Sequence, residues 1–174
     1  MTAAAITEVY NFIQAYCDAE QLAYRAMLTE PDEPHYQTAK ARVAAFGLTL
    51  WLTANIDRFE DEPLPTAEEA HMQLQREYQR RRLLRLEAYQ LADGTAIYAA
   101  YLTGTLAMPS TGEPALKTQI RLLVRRTADG WQIISQQYPP TFAFPIWETT
   151  GGEKITLPDT PDEVVVYIPE ENTA

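Results

Sequence analysis

The spacing of apolar residues changes once along this chain of 174 residues, near residue 80, from a helix-type to a strand-type period. Residues 3–29 repeat apolar side chains every three or four positions, as at Ile6, Ile13, Tyr16 and Leu28, which gives a helix with one apolar stripe. After residue 80, β-branched and aromatic residues alternate with polar ones, as in half-buried strands. Helices followed by strands predict an α+β fold with an antiparallel sheet.

Local signals predict where the helices begin and end. Thr2 is a suitable N-cap for the first helix, and Pro31 follows its end. A second helix is predicted for residues 36–57. Thr66 and Glu69 form a capping-box pattern, so a third, short helix is predicted to begin just after Thr66.

Turn residues separate the predicted strands. The four long strands are predicted for residues 80–91, 95–108, 115–127 and 131–138. Asp93-Gly94 is predicted to form a two-residue hairpin turn, and Asp129-Gly130 another tight turn. Gly104 is a natural place for a bend, and Val164–Ile168 is predicted to add an edge strand. These signals predict helices packed on a strongly curved antiparallel sheet that encloses a cone-shaped core.

Charge is unevenly distributed along the chain. Residues 1–70 hold 12 acidic and 4 basic side chains, residues 71–147 hold 5 and 9, and residues 148–174 hold 7 and 1. The net charge of −10 argues against a general nucleic-acid binder, because affinity for phosphate backbones comes mainly from Lys and Arg. Two interpretations remain open. The regions neutralise one another within the fold or a dimer, or an acidic outer face steers a basic partner.

Targeting and redox signals are sparse. The N-terminus lacks a basic segment followed by an apolar run, and the apolar stretches break within about ten residues, short of the ~20 that span a membrane. We therefore expect a cytoplasmic protein without a membrane segment. Cys17 is the single cysteine, which excludes an intramolecular disulfide, and its apolar neighbours predict that it packs in the core.

Glu20 is the most informative candidate for chemistry. It falls within the apolar stripe of the first helix, between Tyr16 and Tyr24, where a lone charge is very costly. It is either an acid or base facing a pocket, or a structural carboxylate satisfied by tyrosine hydroxyls or an arginine. Asp57 has a weaker claim of the same kind. If the chain is an enzyme, Glu20, Tyr16 and Tyr24 are the catalytic candidates.

Aromatic residues extend this candidate site. The predicted pocket-lining residues are Tyr10, Tyr16, Glu20, Tyr24, Tyr98 and Trp131, and Tyr101 is expected to face the same interior. Core packing of these aromatic rings is the alternative. The two histidines, His35 in a predicted loop and His71 in the short helix, have no spaced carboxylates, so we expect no metal site and no cofactor.

Seven arginines lie on the predicted strands or beside them. They are Arg80, Arg81, Arg82, Arg85, Arg121, Arg125 and Arg126. Guanidinium groups match carboxylates and phosphates, so these residues suit an anionic ligand. The alternative is a solvated sheet face that pairs with the acidic helices or tail.

The stretch Ala96–Gln137 resembles the closing strands of nuclear transport factor 2-like proteins. The resemblance rests on two long strands, the turn Asp129-Gly130, and a closing strand that opens Gly130-Trp131 and continues to Ser135. It covers roughly residues 3–140 and implies a cone-like barrel of that superfamily. It predicts an α+β domain over residues 1–140 and a Pro-rich, acidic extension over residues 141–174. The superfamily contains both enzymes and binding proteins, so the fold does not select a function.

Two functions follow as hypotheses. The helix over residues 12–27 looks like the opening helix of bacterial immunity proteins, and the histidines of the enzyme branches are missing. This implies a non-enzymatic domain that neutralises a cognate toxin. The predicted partner-binding residues are Asp32, Glu33, Glu60, Asp61 and Glu62. The alternative is a SnoaL-like enzyme or binder that holds a small apolar carbonyl compound in the cone. In either case the resemblance implies a homodimer through the open sheet face.

Overall fold

A computed structural model of the chain contains three helices and six strands among the residues that it describes. It describes residues 2–30, 33–47, 56, 63–77, 82–106, 116–137, 146–149 and 151–158. The helices are α1 (Ala3–Thr29), α2 (Glu33–Ala44) and α3 (Ala67–Glu77). The strands are β1 (Leu83–Gln90), β2 (Ala96–Leu106), β3 (Leu116–Thr127), β4 (Gly130–Gln137), β5 (Ile146–Glu148) and β6 (Lys154–Thr156).

Side-chain caps fix the starts of two helices, as the sequence predicts. The Thr2 hydroxyl accepts a hydrogen bond from the Ala5 amide at 3.3 Å, which begins α1. At α3, the Thr66 amide donates to Glu69 Oε2 at 2.8 Å, and the Glu69 amide donates back to Thr66 Oγ1 at 3.3 Å. Both predicted caps are therefore confirmed, because short-range hydrogen bonds determine them.

The prediction for the second helix is wrong at both ends. The helix begins at Glu33 and ends at Ala44, and the chain then joins the sheet. Gly47 forms a parallel bridge with Ile133, whose amide donates to the Phe46 carbonyl at 2.8 Å. A Cβ at position 47 would lie against the Ile133 carbonyl oxygen, well inside contact distance. Glycine permits this approach, so a tertiary contact overrides helix propensity here.

Four antiparallel strands form one sheet in the order β1-β2-β3-β4, which gives an α+β fold. Among the described residues the sheet is not closed, and β1 and β4 are its outermost strands. The register shifts between Leu83 and Arg85 and between Leu123 and Val124. At Gly104, where the sequence suggests a bend, the pairing with β3 continues without a shift. The irregularities that add local twist therefore lie on β1 and on the β3–β4 pair.

The β1–β2 turn differs from the predicted two-residue loop. Leu91 donates its amide to the Thr95 carbonyl at 2.9 Å, so the loop contains three residues and Gly94 has φ 83°. This matches a three-residue hairpin loop with glycine in the left-handed region. At the β3–β4 turn, Thr127 pairs with Gly130, which leaves a two-residue loop.

Each face of the sheet is covered by its own apolar cluster. The first face packs on the helices, and its largest fully buried side chains include Ile13, Tyr16, Tyr98, Leu102 and Leu122. Cys17 lies in this cluster, 2% exposed, which confirms its predicted packing. The second cluster comprises Tyr89, Ile97, Ala99, Leu123, Ile134, Ile155 and Leu157.

The β5–β6 hairpin covers part of the second face and was not predicted from the sequence. Ile155 and Leu157 of this segment pack on the main sheet, and each such burial contributes roughly 1.5–3 kcal/mol. The Arg125 guanidinium binds both Glu153 carboxylate oxygens at 3.1 Å, and Ser135 Oγ donates to the Glu148 carbonyl at 2.8 Å. The predicted edge strand at residues 164–168 lies outside the described residues.

Within the described ranges, no helix combines the length and the apolarity that a membrane crossing requires.

Candidate functional site

The Glu20 carboxylate lies in the packed layer between α1 and the sheet. Glu20 and Tyr16 are each 1% exposed, and Tyr24 is 7% exposed. The three residues are four positions apart, so they share the buried face of α1. The Tyr16 ring meets the Phe46 ring edge-on at 5.8 Å between centroids. The three catalytic candidates therefore lie side by side and are shielded from solvent.

Tyr98 and Trp131 lie on the same helix-facing side of the sheet. Their rings form an edge-to-face pair with centroids 5.4 Å apart. Trp131 Nε1 donates to Glu8 Oε2 at 3.2 Å, and the Arg126 guanidinium lies over the Trp131 ring at 5.6 Å. Tyr10 packs, partly buried, against the same cluster. The six predicted pocket-lining residues thus belong to one helix–sheet layer, and Trp131 fastens the N-terminal half of α1 to it.

Tyr101 does not face this layer, contrary to the prediction. It pairs with Arg85 and Arg121, which lie on the opposite face of the sheet from Leu122. Tyr98 and Tyr101 are three positions apart on one strand, so they point to opposite faces. Tyr101 therefore belongs to a separate polar cluster.

That cluster centres on Glu87, which is 6% exposed. The hydroxyl of Tyr89 donates to Glu87 Oε2 at 2.5 Å, and the hydroxyl of Tyr101 donates to the same oxygen at 2.8 Å. Arg85 Nη2 pairs with the other oxygen, Oε1, at 2.5 Å. Arg121 lies over the Tyr101 ring, with its guanidinium carbon 5.5 Å from the centroid. A buried carboxylate is thus satisfied by two hydroxyls and one cation.

The cluster holds its tyrosines in the neutral form. Burial, and then the hydrogen bond to Glu87, raise the pKa of Tyr101 to about 12. The same two causes raise the pKa of Tyr89 further. A hydroxyl that donates to a carboxylate resists deprotonation, so these residues are hydrogen-bond donors and not bases. The arrangement suits positioning and recognition better than proton abstraction.

Glu87 was not among the predicted site residues, although part of its environment is visible in the sequence. Arg85, Glu87 and Tyr89 alternate, which places them on one face of a strand. The contribution of Tyr101 depends on the strand register, which the predicted turn misplaces by one residue.

Most of the predicted partner-binding acids lie outside the described residues. Glu33 begins α2, and its side chain is not described. Asp32, Glu60, Asp61 and Glu62 lie outside the described residues, as does Asp57.

The two histidines lie on different helices, and a protein metal site needs three or more ligating side chains in one group. His35 lies in α2, where a loop was predicted, and His71 lies in α3; both are exposed. In the described part of the chain, no three or more His, Cys, Asp or Glu side chains form a group that could hold a metal ion.

Charged residues of the sheet pair with acids from other elements. Arg126 Nη1 lies 3.6 Å from Glu8 Oε2 of α1, and Arg125 pairs with Glu153 beside β6. Two of the basic sheet residues therefore pair with the acidic helix and the acidic C-terminal segment, as one of the two charge interpretations expects. No protein-family model, curated protein or solved structure matches this chain.

Proposed function

We propose that this chain is a non-enzymatic protein-binding domain of the immunity type, which neutralises a cognate bacterial toxin. The observation that carries the proposal is the burial of the interior candidates. Glu20 and Tyr16 are each only 1% exposed, so a substrate does not reach them unless α1 separates from the sheet. A function that needs no open interior, exerted through the surface, agrees best with this packing.

The charge of the chain supports a basic partner. The chain has 24 acidic and 14 basic residues, a net charge of −10. The pairs Arg125–Glu153 and Arg126–Glu8 each use one residue of either sign, so they do not change this net charge. An acidic surface attracts a basic protein, such as a nuclease, and speeds its association. Asp32, Glu33, Glu60, Asp61 and Glu62 are proposed to form this surface.

Capture of the partner followed by a growth assay tests the proposal. The tagged chain is purified from its native host, and any stoichiometric partner is identified by mass spectrometry. The partner is then expressed alone and together with this chain. The expected result is growth arrest by the partner alone and recovery upon co-expression. A partner that is harmless when expressed alone contradicts the immunity assignment.

Charge reversal locates the surface. The Asp32→Lys and Glu33→Lys substitutions are expected to slow association with the partner and to flatten its salt dependence. Asp129→Lys is the matched control, because Asp129 is an exposed acid at the β3–β4 turn. If Asp129→Lys slows association with the partner equally, the association rate depends on net charge alone and not on this surface.

A small-molecule function is the second candidate, and the position of Glu20 favours it. A carboxylate 1% exposed between two buried tyrosines resembles a pocket acid. In this case a SnoaL-like enzyme or binder holds an apolar carbonyl compound between α1 and the sheet. Glu20→Gln is then expected to abolish turnover while the melting temperature stays unchanged. Loss of the fold in Glu20→Gln supports a structural carboxylate instead.

We also propose the finer fold assignment, a cone-like barrel of the nuclear transport factor 2-like superfamily, and a homodimer through the sheet. The order of helices and then an antiparallel meander supports the assignment. Sedimentation velocity tests the dimer, and detection of monomer alone at high protein concentration would contradict it.

A further inference from the structure

A transverse row of polar side chains crosses all four strands of the main sheet. Arg85 pairs with Tyr101, Tyr101 with Arg121, and Arg121 with Gln137 in the strand register. Directly paired residues point to the same face of a sheet, so this row lies on the face opposite the helices. Two arginines flank one tyrosine in it.

The two arginines of the row differ in what they bind. Arg85 pairs with Glu87 at 2.5 Å, so its charge is compensated inside the protein. Arg121 is partly buried and stacks over the Tyr101 ring, with its guanidinium carbon 5.5 Å from the centroid. Its Nε is closed off from solvent and has no hydrogen-bond acceptor in the part of the chain that the structure describes.

The other arginines of β3 each lie beside a carboxylate, unlike Arg121. Arg125 is bound by both oxygens of Glu153, and Arg126 lies beside Glu8. Within the described ranges, Arg121 forms no ion pair. A buried donor without an acceptor is costly and calls for an explanation. Since the Arg121 side chain is only partly buried, an ion or ligand would bind at the other nitrogens of the same guanidinium.

We propose that Arg121, with Tyr101 and Arg85 beside it, forms a binding site for a carboxylate group. The planar fork of a guanidinium matches the two oxygens of a carboxylate, and stacking on Tyr101 fixes the plane of the fork. The hydroxyl of Tyr101 is in turn held by Glu87 at 2.8 Å. The site is therefore organised before a ligand arrives.

Local charge selects the kind of anion. Arg85 and Glu87 cancel each other, so within the described part of the chain one uncompensated positive charge remains, on Arg121. A carboxylate carries one negative charge and matches it. A phosphate dianion would bring a second negative charge close to Glu87, which is unfavourable. The carboxylate belongs either to an acidic side chain of a peptide or protein, or to a free organic acid.

Arginine side-chain resonances test the proposal on the intact protein. The Nε–H signals of the ¹⁵N-labelled chain are followed by nuclear magnetic resonance while sodium acetate replaces sodium chloride at constant ionic strength. The Arg121 signal is expected to move along a saturating curve, and that of the exposed Arg126 to move little and linearly. The same small, linear change in both signals overturns the proposal, as does a response to phosphate that saturates as readily as that to acetate.

A second titration distinguishes the two sources of the carboxylate. The capped tripeptide Ala-Glu-Ala is compared with acetate, and Ala-Gln-Ala is its uncharged control. Saturation at lower concentration by the Glu peptide assigns the site to acidic side chains, whereas tighter binding of acetate assigns it to free acids. Saturation by the Gln peptide contradicts recognition of a carboxylate.

Substitutions at Arg121 test whether this residue binds the carboxylate. Arg121→Gln is expected to weaken binding roughly tenfold or more, because a charge-assisted, two-point contact is lost. Arg121→Lys keeps the charge but loses the fork, and is expected to weaken binding too. Binding by the Lys variant as tight as by the original chain overturns the role of the fork. Arg125→Gln, on the same strand, is the control and is expected to leave acetate binding unchanged.

Discussion

The hydroxyl of Tyr101 on β2 donates to Glu87 Oε2 on β1 at 2.8 Å, although the two residues are diagonal neighbours in the strand register. Tyr89 donates to the same oxygen at 2.5 Å. Long side chains can bridge such diagonal positions across an antiparallel pair. The shared oxygen joins β1 to β2 on the face opposite the helices, and this link has measurable consequences.

Removal of the Tyr101 hydroxyl tests the link. Tyr101→Phe is expected to lower the free energy of unfolding by about 1.5 kcal/mol, the low end for hydrogen bonds to charged groups, because Tyr101 is only partly buried. Urea denaturation followed by circular dichroism measures the change. Tyr98→Phe is the matched control on the same strand, with a smaller expected effect. Equal losses in the two variants contradict a special role for the Glu87 bond.

The raised pKa of Tyr101 predicts a loss of stability at high pH. Its pKa in the folded chain is about 12, above the ordinary value of 10.0. The neutral hydroxyl is therefore favoured by folding, so its contribution is complete below about pH 10 and is lost as the pH rises towards 12. Among the ten tyrosines, ultraviolet difference titration is expected to resolve a group that ionises at higher pH than the rest. The absorbance change of this group should be smaller in Tyr101→Phe. If all tyrosines of the folded protein ionise in a single phase near pH 10, the prediction is contradicted.

Gly47 is expected to tolerate no side chain. In Gly47→Ala the new methyl group meets the Ile133 carbonyl oxygen, which is fixed in the sheet, so we expect a loss of about 1–3 kcal/mol of stability. Thermal unfolding measures it. Gly151→Ala is the control, since its nearest neighbour, Thr149 Oγ1, lies at an ordinary 3.8 Å. A stable Gly47→Ala variant means that the bridge to Ile133 is dispensable.

The β5–β6 hairpin is expected to open independently of the main sheet. Ile155→Ala removes one of the two apolar side chains that the structure describes as buried in this segment, and it is expected to weaken the attachment of the hairpin by about 2 kcal/mol or more. Hydrogen exchange is the appropriate measurement. The amide of Thr149, which donates to the Glu153 carbonyl, should exchange faster, while that of Leu123 should not change.

Lys154→Ala provides the comparison for this prediction, because Lys154 is exposed on the same strand. Faster exchange of Leu123 in the Ile155 variant would mean that the hairpin and the sheet unfold together.

Elements set by local chemistry were predictable from the sequence. The start of α1 at Thr2 and that of α3 at Thr66 follow from side chains that bond amides three residues away. The end of α2 was not predictable in this way. It depends on Ile133, far along the chain, and no local signal near Gly47 identifies that partner.

The contact between Tyr101 and Glu87 was not predictable, because the predicted turn gives the wrong register. With Asp93-Gly94 as a two-residue loop, Glu87 would pair with Ala100, whereas it pairs with Ala99. A slip of one residue reverses the face of every side chain relative to the neighbouring strand. The diagonal contact of Tyr101 with Glu87 therefore lies outside the predicted register. The placement of Tyr101 in the same interior as Tyr98 is wrong for a separate reason, because residues three apart on a strand point to opposite faces. The short β5–β6 hairpin was missed because three-residue strands carry little periodicity.

A growth-rescue assay with two variants tests the central claim, that the chain acts through its surface and not through its interior. The captured partner is co-expressed with Glu20→Gln or with the double variant Asp32→Lys, Glu33→Lys, after both are shown to fold. The expected result is full rescue by the Glu20 variant and impaired rescue by the double variant. Rescue lost in Glu20→Gln and retained in the double variant would contradict the claim and place the function between α1 and the sheet.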